Sequence, residues 1–574
     1  MCGIVGVVSE QKFTTKNLLS MLKKLEYRGY DSAGISVEIN GKLYIEKEVG
    51  EISKLESKIK DVEFNVGISH TRWSTTGRVT QANAHPHTDC SGNLSIVHNG
   101  IFENYEQIKE KLIKEGHTFK SDTDTEVIAH YFEKSQDIMS GISKFFAEAQ
   151  GEFAILLMKK GENKIYAFKR GSPLCMGIAE NATILSSDAY SFAKQTSKVI
   201  FFNENEIAVA GPDSYQFYDK NLNKIKKEIK ILEWHEEESI KEYDHYFLKE
   251  IMDQPAASRR LIKSLENEQK EKVDILKQLI KSSKRIVFVA CGSSYFASLL
   301  GVYFLNKAGV EAHAVIASEF RNFYLRDDKT LLIAVTQSGE TMDLIKALSG
   351  TKAGGVKIAS IVNRPYSTIE RMGNVSIQIH AGNEISVAAT KSYVNQVIFM
   401  MHLAKEFGLD IDINSIPLAI EEALKKEIEI ELIAKKIANK NDVYIIGRGL
   451  SYPVSREIAL KLKEIANVHA EGMMGGELKH GTLALIEEGT PVITLFDGNH
   501  DILTNAKEVE TRGGEIIEIS PEKHFPTCIN VNGSKDAYPI SAVVVGQLLT
   551  YHIAKLRGLP IDKPRNIAKT VTVL

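Results

Sequence analysis

A chain of 574 residues is too long for one hydrophobic core and points to three or four units of about 150 residues each. Lys plus Arg number 71 and Asp plus Glu 74, a net charge of −3, so no global positive field calls for nucleic acid. The five cysteines (Cys2, Cys90, Cys175, Cys291 and Cys528) are scattered without a C-x-x-C pair, which argues against a disulfide framework and against a thiolate zinc site, and no apolar run is long enough to span a bilayer. The expectation is a soluble protein of the reducing cytoplasm.

Cys2 directly follows Met1. Removal of Met1 leaves a free α-amine beside the thiol; with ordinary pKa values near ~7.8 and ~8.5, the amine can serve as the thiol's own base. Gly3-Ile4-Val5-Gly6-Val7 reads as a strand that fixes this cysteine. Short β-type runs recur through residues 1–235, among them 94–98, 153–157 and 198–202, with a helical stretch at 104–116. The pattern is a strand-heavy α+β domain. Residues 236–275 turn charged, from Glu236-Glu237-Glu238 to the Glu/Lys run at 266–272, and are expected to be a linker and a solvated helix.

The remainder alternates buried-type strands with helices and carries a weak internal repeat. Arg285–Ala290 leads into Gly292-Ser293-Ser294, and Val443–Ile446 into Gly449-Leu450-Ser451. Second strands follow at 331–335 and 491–495, third strands at 356–362 and 515–519. Two doubly wound α/β copies result, 276–415 and 430–560, with a tail at 561–574; such sheets bind ligands beyond their carboxyl ends. After its second strand the first copy has Thr336-Gln337-Ser338-Gly339-Glu340-Thr341, where the second has Phe496-Asp497-Gly498-Asn499. Helix capping accounts for one hydroxyl. Ser293, Ser294, Thr336, Ser338 and Thr341 at two adjacent strand ends point instead to one phosphate site, in the first copy.

Taken in order, these motifs resemble the glutamine–fructose-6-phosphate aminotransferase (isomerizing) family, the glucosamine-6-phosphate synthases. The resemblance runs from the Cys2 segment through Glu26–Gly34, His70-Thr71-Arg72-Trp73, Asn83–His87, His98-Asn99-Gly100 and Asp122–Glu126. It continues through Ser338–Thr341, Lys461–Glu464, Gly476–Gly481 and the tail Pro564–Val573. It implies an N-terminal-nucleophile class II glutaminase followed by two SIS domains. The implied reaction turns D-fructose 6-phosphate and L-glutamine into D-glucosamine 6-phosphate and L-glutamate, the entry to hexosamine and UDP-N-acetylglucosamine synthesis, and the resemblance implies that it needs no metal and no redox cofactor.

By the same resemblance Cys2 attacks glutamine, the Asn99 side chain and Gly100 amide stabilise the oxyanion, and Arg72, Trp73, Thr75, Gly100 and Asp124 bind the amino acid. Standing alone, Arg72 and Asp124 would read as surface ion-pair residues. The sugar phosphate is assigned to Gly292, Ser293, Ser294, Thr336, Gln337, Ser338, Thr341, Val387 and Ala568. Lys569 is the Schiff-base amine, its charge disfavoured by enclosure; Glu464 moves the proton between C1 and C2, with Lys461 on the same helix face; His480 opens the ring from a neighbouring subunit, so a homodimer is implied. His85-Pro86-His87 lacks a partner cluster for a metal and reads as structural. Two positions depart from the family pattern: Thr76 stands where a histidine is usual, and Ala389 where many members place a serine. A related amidotransferase or deglycase, or an SIS sensor of sugar phosphates, are the competing readings; a sensor has no use for Cys2, Glu464 or Lys569.

Overall fold

The computed structural model describes residues 2–135, 137–233, 240, 242–323, 327–351, 354–531 and 536–571. Met1, the acidic triplet 236–238 and tail residues 572–574 lie outside them. Two compact units divide the chain, the first of residues 1–236 with 570–574 and the second of residues 237–569.

Alternation along Phe153–Met158 builds the first unit. Phe153, Ile155 and Leu157 turn to one side with Phe102, Phe132, Phe145 and Phe168. Ala154, Leu156 and Met158 turn to the other with Ile4, Val8, Ile68 and Val97. The second group draws on both an eight-stranded and a seven-stranded antiparallel sheet, so the two sheets share one core. Helices Asp124–Glu133 and Ile138–Glu148 cover the outer face of the seven-stranded sheet, and Thr15–Lys23 packs on the eight-stranded one. Each buried phenylalanine contributes about 1.5–3 kcal/mol. Strand Gly3–Thr14 lies between Ala182–Ser186 and Glu63–Arg72, with Gly3 opposite Thr71. That register puts Cys2 against the end of the strand that carries Arg72.

The second unit holds two five-stranded parallel sheets of identical order. One runs His313–Ile316, Arg285–Ala290, Thr330–Thr336, Lys357–Val362, Val375–Gln378. The other runs His469–Met474, Asp442–Gly447, Pro491–Leu495, Glu515–Ser520, Thr527–Asn530. In each, the first strand in sequence sits second in the sheet. The order therefore reverses beside it, opening a crevice at the strands' carboxyl ends.

Residues 246–282 differ from the expected linker and solvated helix. They form three helices, Tyr246–Met252, Gln254–Glu266 and Lys270–Ser282. Phe247, Ile251, Leu261, Leu265, Leu276 and Ile280 are buried in the core of the unit. Glu266, Glu268, Lys270, Glu271 and Lys272 point outward, and their density masked the apolar inner face. Among the described residues no helix is long and apolar enough to cross a membrane.

Candidate active sites

In the first unit, the amide of Trp73 donates to Cys2 Sγ at 3.4 Å. Burial of the sulfur pushes the thiol up, while the Trp73 N–H and the Arg72 charge pull it down and Asp124 adds to the rise. Arg72 closes the strand Glu63–Arg72 and is 3% exposed. Its guanidinium donates to the carbonyl of Thr76, and to those of Gly77 and Arg78 at 3.4 Å each. The loop after Trp73 is thus folded around the cation. The Trp73 ring packs edge-on against Tyr30 at 5.8 Å.

Asp124 opens the helix Asp124–Glu133, whose N-cap is the Thr123 side chain. Its Oδ2 accepts from Phe102 N at 2.9 Å and lies 3.8 Å from His98 Nδ1. His70 Nε2 meets His98 O at 3.0 Å, tying the strand that ends at Arg72 to the one that carries Asn99 and Gly100. These residues therefore gather at the end of the sandwich that holds Cys2. Asn99 is 5% exposed, yet neither its Oδ1 nor its Nδ2 has a hydrogen-bond partner among the described residues. A buried amide left unpaired costs about 1–3 kcal/mol, so water, an ion or a reacting ligand must meet it. Gly100 has φ +127°, and a Cβ there would stand 2.0 Å from Glu152 O, so only glycine fits. Thr75 is exposed on the loop. His87 Nε2 bonds Thr123 Oγ1 at 3.0 Å and His85 stacks on His70 at 4.0 Å; burial holds both rings well below the usual histidine range, as suits packed neutral imidazoles.

In the second unit, Thr336 ends the strand Thr330–Thr336, which lies beside Arg285–Ala290. Thr336 Oγ1 lies 3.3 Å from Thr341 Oγ1 and accepts from Gly339 N at 3.2 Å, and Ser338 Oγ accepts from Glu340 N at 3.2 Å. Gly339 has φ +68°, and a Cβ would strike Ser367 Oγ at 1.9 Å. Gln337 O accepts from Asn363 N and Arg364 N at 3.2 and 3.1 Å. Gly292, Ser293 and Ser294 open the helix after the neighbouring strand. At the matching point of the second copy, Asp497 Oδ2 accepts from Ser451 Oγ at 2.9 Å, a carboxylate where an anion would have to sit.

The first copy's helix start reaches the second copy. Ser293 Oγ donates to Glu457 Oε1 at 3.1 Å, and Gln396 Nε2 donates to Ser294 Oγ at 3.0 Å. Glu457, Lys461 and Glu464 follow one another on helix Ser451–Ala466. Lys461 Nζ lies 3.5 Å from Glu457 Oε1 and is in direct contact with Glu464 Oε2. Burial pushes Glu457 up to about 7, with Lys461 pulling the other way. Lys569 Nζ sits 2.5 Å from Glu384 Oε2. Enclosure therefore supplies the amine with a counter-charge, where the sequence suggested enclosure alone. Glu384 also accepts from Thr390 N and Ser392 N at 3.0 Å each and from Ser392 Oγ at 2.7 Å. Glu250, pushed up to about 8 by burial and by Glu384, accepts from Ser386 N at 3.1 Å. Val387 N donates to Asp562 O at 3.0 Å, fastening the tail to this loop. Ala568 is half-buried beside Lys569, and His480 is exposed at the end of the 3-10 turn Gly475–His480.

Sequence reasoning missed Glu250, Glu384 and Glu457. Glu384 offered the one usable signal, a lone acid three residues before the flagged Val387 loop.

A model described as a glutamine amidotransferase domain matches residues 70–194, and one described as a SIS domain matches 279–405 and 436–528. The glutamine–fructose-6-phosphate aminotransferases [isomerizing] of Pyrococcus horikoshii and Thermococcus kodakarensis are each 39% identical to the chain, over all of both sequences. The chain belongs to the glutamine–fructose-6-phosphate aminotransferase (isomerizing) family. A solved structure of the C-terminal domain of glucosamine-fructose-6-phosphate aminotransferase from Francisella tularensis is 33% identical, with a TM-score of 0.53, and covers 57% of this chain and 100% of that one. Of the two departures from the family pattern, Thr76 holds Arg72 through its backbone carbonyl, which any residue supplies. Ala389 is half-buried and brings no hydroxyl to its loop.

Proposed function

We propose that the chain converts D-fructose 6-phosphate and L-glutamine to D-glucosamine 6-phosphate and L-glutamate. The observation that carries this is the unpaired buried amide of Asn99 at the Cys2 end of the first unit, together with a buried lysine–carboxylate pair in the second. The Cys2 thiolate adds to the glutamine carboxamide carbon. The oxyanion takes hydrogen bonds from Asn99 Nδ2 and the Gly100 amide, each donor worth about 3 kcal/mol. The Cys2 α-amine, freed by loss of Met1 and holding the thiol's proton, passes it to the leaving nitrogen; ammonia departs, a thioester remains, and water hydrolyses it to glutamate. Arg72 takes the α-carboxylate and Asp124 the α-ammonium.

In the second unit the phosphate rests on Ser293, Ser294, Thr336, Gln337, Ser338 and Thr341. Lys569, once parted from Glu384, condenses with the C2 carbonyl and loses water; ammonia then displaces the lysine. Glu464 carries the proton from C1 to C2, and Lys461, kept charged by Glu457 and Glu464, holds that carboxylate in place. Trp73 gates the ammonia between the reactions, since ammonium formed in water cannot attack a carbonyl. His480, exposed in its own chain, acts on a partner's sugar in a homodimer.

Glutamate release with and without fructose 6-phosphate, with the product identified by mass spectrometry, tests this reading. A sugar-stimulated release with glucosamine 6-phosphate in step supports it. Release without amino sugar, or a different amino sugar, rejects it. Cys2→Ala should abolish glutamine hydrolysis and spare isomerisation; Lys569→Ala should do the reverse.

A further inference from the structure

Cys90, His117, His130 and Glu133 converge in the first unit, and neither proposed reaction uses any of them. Cys90 Sγ lies 3.5 Å from His130 Nδ1 and 3.9 Å from His117 Nδ1. Glu133 Oε2 lies 2.8 Å from His117 Nδ1 and 3.2 Å from His130 Nδ1. All four donor atoms fall within 4.8 Å of one another. A tetrahedral zinc ion with bonds of about 2.0–2.3 Å has ligand–ligand edges of about 3.3–3.6 Å, the middle of the observed spread.

We propose that this cluster is a structural zinc site, ligated by Cys90 Sγ, His117 Nδ1, His130 Nδ1 and Glu133 Oε2. One thiolate, two imidazoles and one carboxylate form a mixed soft and borderline set that suits zinc over magnesium or calcium, and a single thiolate cannot hold an iron–sulfur cluster. One thiolate and one carboxylate neutralise a divalent ion; the Cys90 proton leaves to solvent on binding. Both imidazoles are buried, His117 at 6% and His130 at 2% exposure, so the ligands are held in place. His130 Nε2 faces Glu126 Oε1 at 3.7 Å, and Glu126 is itself fixed by Lys120 N, Ser121 N and Ser121 Oγ at 2.6–2.7 Å. A carboxylate behind a ligating histidine is the usual support of such sites. Cys90 is on the surface and gives the ion a way in.

The four ligands come from three segments: the loop after strand His87–Thr88, the turn after helix Tyr105–Lys114, and helix Asp124–Glu133. Scattered cysteines argued against a zinc site because only one ligand is a cysteine and the others join it through the fold. Zinc would clamp the helix whose first residue is Asp124, so the site stiffens the platform beneath the first unit's reaction centre without touching it.

The test uses the full chain, stripped with chelator and reloaded with Zn²⁺ or Co²⁺. About one Zn²⁺ per chain by elemental analysis is expected, with a thiolate-to-metal absorption band and intense tetrahedral bands in the Co²⁺ form. Cys90→Ser should lose the charge-transfer band and bind Zn²⁺ at least ~10-fold more weakly; His117→Asn should weaken binding similarly and keep the band in what Co²⁺ remains. Zinc should raise the melting temperature of the parent and leave that of Cys90→Ser unmoved. Sub-stoichiometric zinc in the parent, a Co²⁺ spectrum without a thiolate band, or full-affinity binding by a folded Cys90→Ser would each overturn the assignment.

Discussion

Lys569 and Glu384 face each other at 2.5 Å with side chains 4% and 0% exposed, a closed ion pair. Burial raises the Glu384 carboxyl, but Lys569 and the donors on Ser392 outweigh it and hold it down at about 2. A depressed carboxyl stabilises the fold fully above its unfolded value near ~4.3, and that contribution is lost as pH falls through about 2.

Glu384→Gln should therefore destabilise the second unit by about 3–5 kcal/mol at pH 7, since it strands a buried ammonium. Denaturant unfolding at pH 7, and again between pH 5 and 2, checks this. The variant should lose less stability than the parent over the acid range. Borohydride trapping of fructose 6-phosphate on Lys569 should change, while glutaminase activity stays. An unchanged unfolding midpoint and acid slope would discard the pair.

Glu250 works in the opposite direction. Its carboxyl is raised to about 8, so between the unfolded value and pH 8 the folded state holds a proton that the unfolded state has released. Its contribution is complete below the unfolded value and disappears as pH rises through about 8. Melting temperature should fall from pH 5 to pH 8, and Glu250→Gln, which stays neutral, should flatten that fall. Parallel curves for parent and variant would refute it.

Asn99→Ala should lower the glutaminase kcat by about 10²–10³ with a small change in KM, because no described residue engages its amide and the oxyanion of the proposed reaction is its expected partner. Gly100→Ala differs in kind. The added Cβ meets Glu152 O at 2.0 Å, so the strand pair must part and thermal stability should drop along with activity. Steady-state kinetics beside a thermal melt separates the two effects.

Trp73→Ala should keep glutamate release and lose its one-to-one coupling to glucosamine 6-phosphate. The Trp73 backbone N–H serves Cys2 whatever the side chain, so the thiol's setting survives the substitution. The stoichiometry of the two products is the measurement. A variant that remains fully coupled has no gate at this residue.

Much of this architecture was legible because it rests on periodicity. A short β-type run marked the strand 153–157, and hydroxyls after two buried-type runs marked the crevice between Arg285–Ala290 and Thr330–Thr336. Cys2 drew notice from its place behind Met1 and before a strand-like run, and its role as nucleophile came from the resemblance. Glu384, Glu250 and Glu457 were not legible, since the meaning of each comes from what the fold packs around it. Helices 254–282 were hidden by exposed charged residues such as Glu266, Glu268, Lys270, Glu271 and Lys272 on their outer faces. His117, His130 and Glu133 escaped for a third reason: only the i,i+3 pair on helix Asp124–Glu133 is local, and Cys90 and His117 reach it from separate loops.

The two parallel sheets share a single apolar interior. Helix Gly292–Lys307 of the first copy packs on Ser451–Ala466 of the second, and Tyr538–Leu556 is buried from Tyr538 through Ala554. Neither copy is then a body that could melt or be expressed by itself. A chain cut near residue 415 would leave the flank of Gly292–Lys307 facing water and should aggregate, whereas residues 237–569 should unfold in one cooperative step. Duplication here produced one folding unit, in which a sequence change in one copy is felt as a stability change in the other.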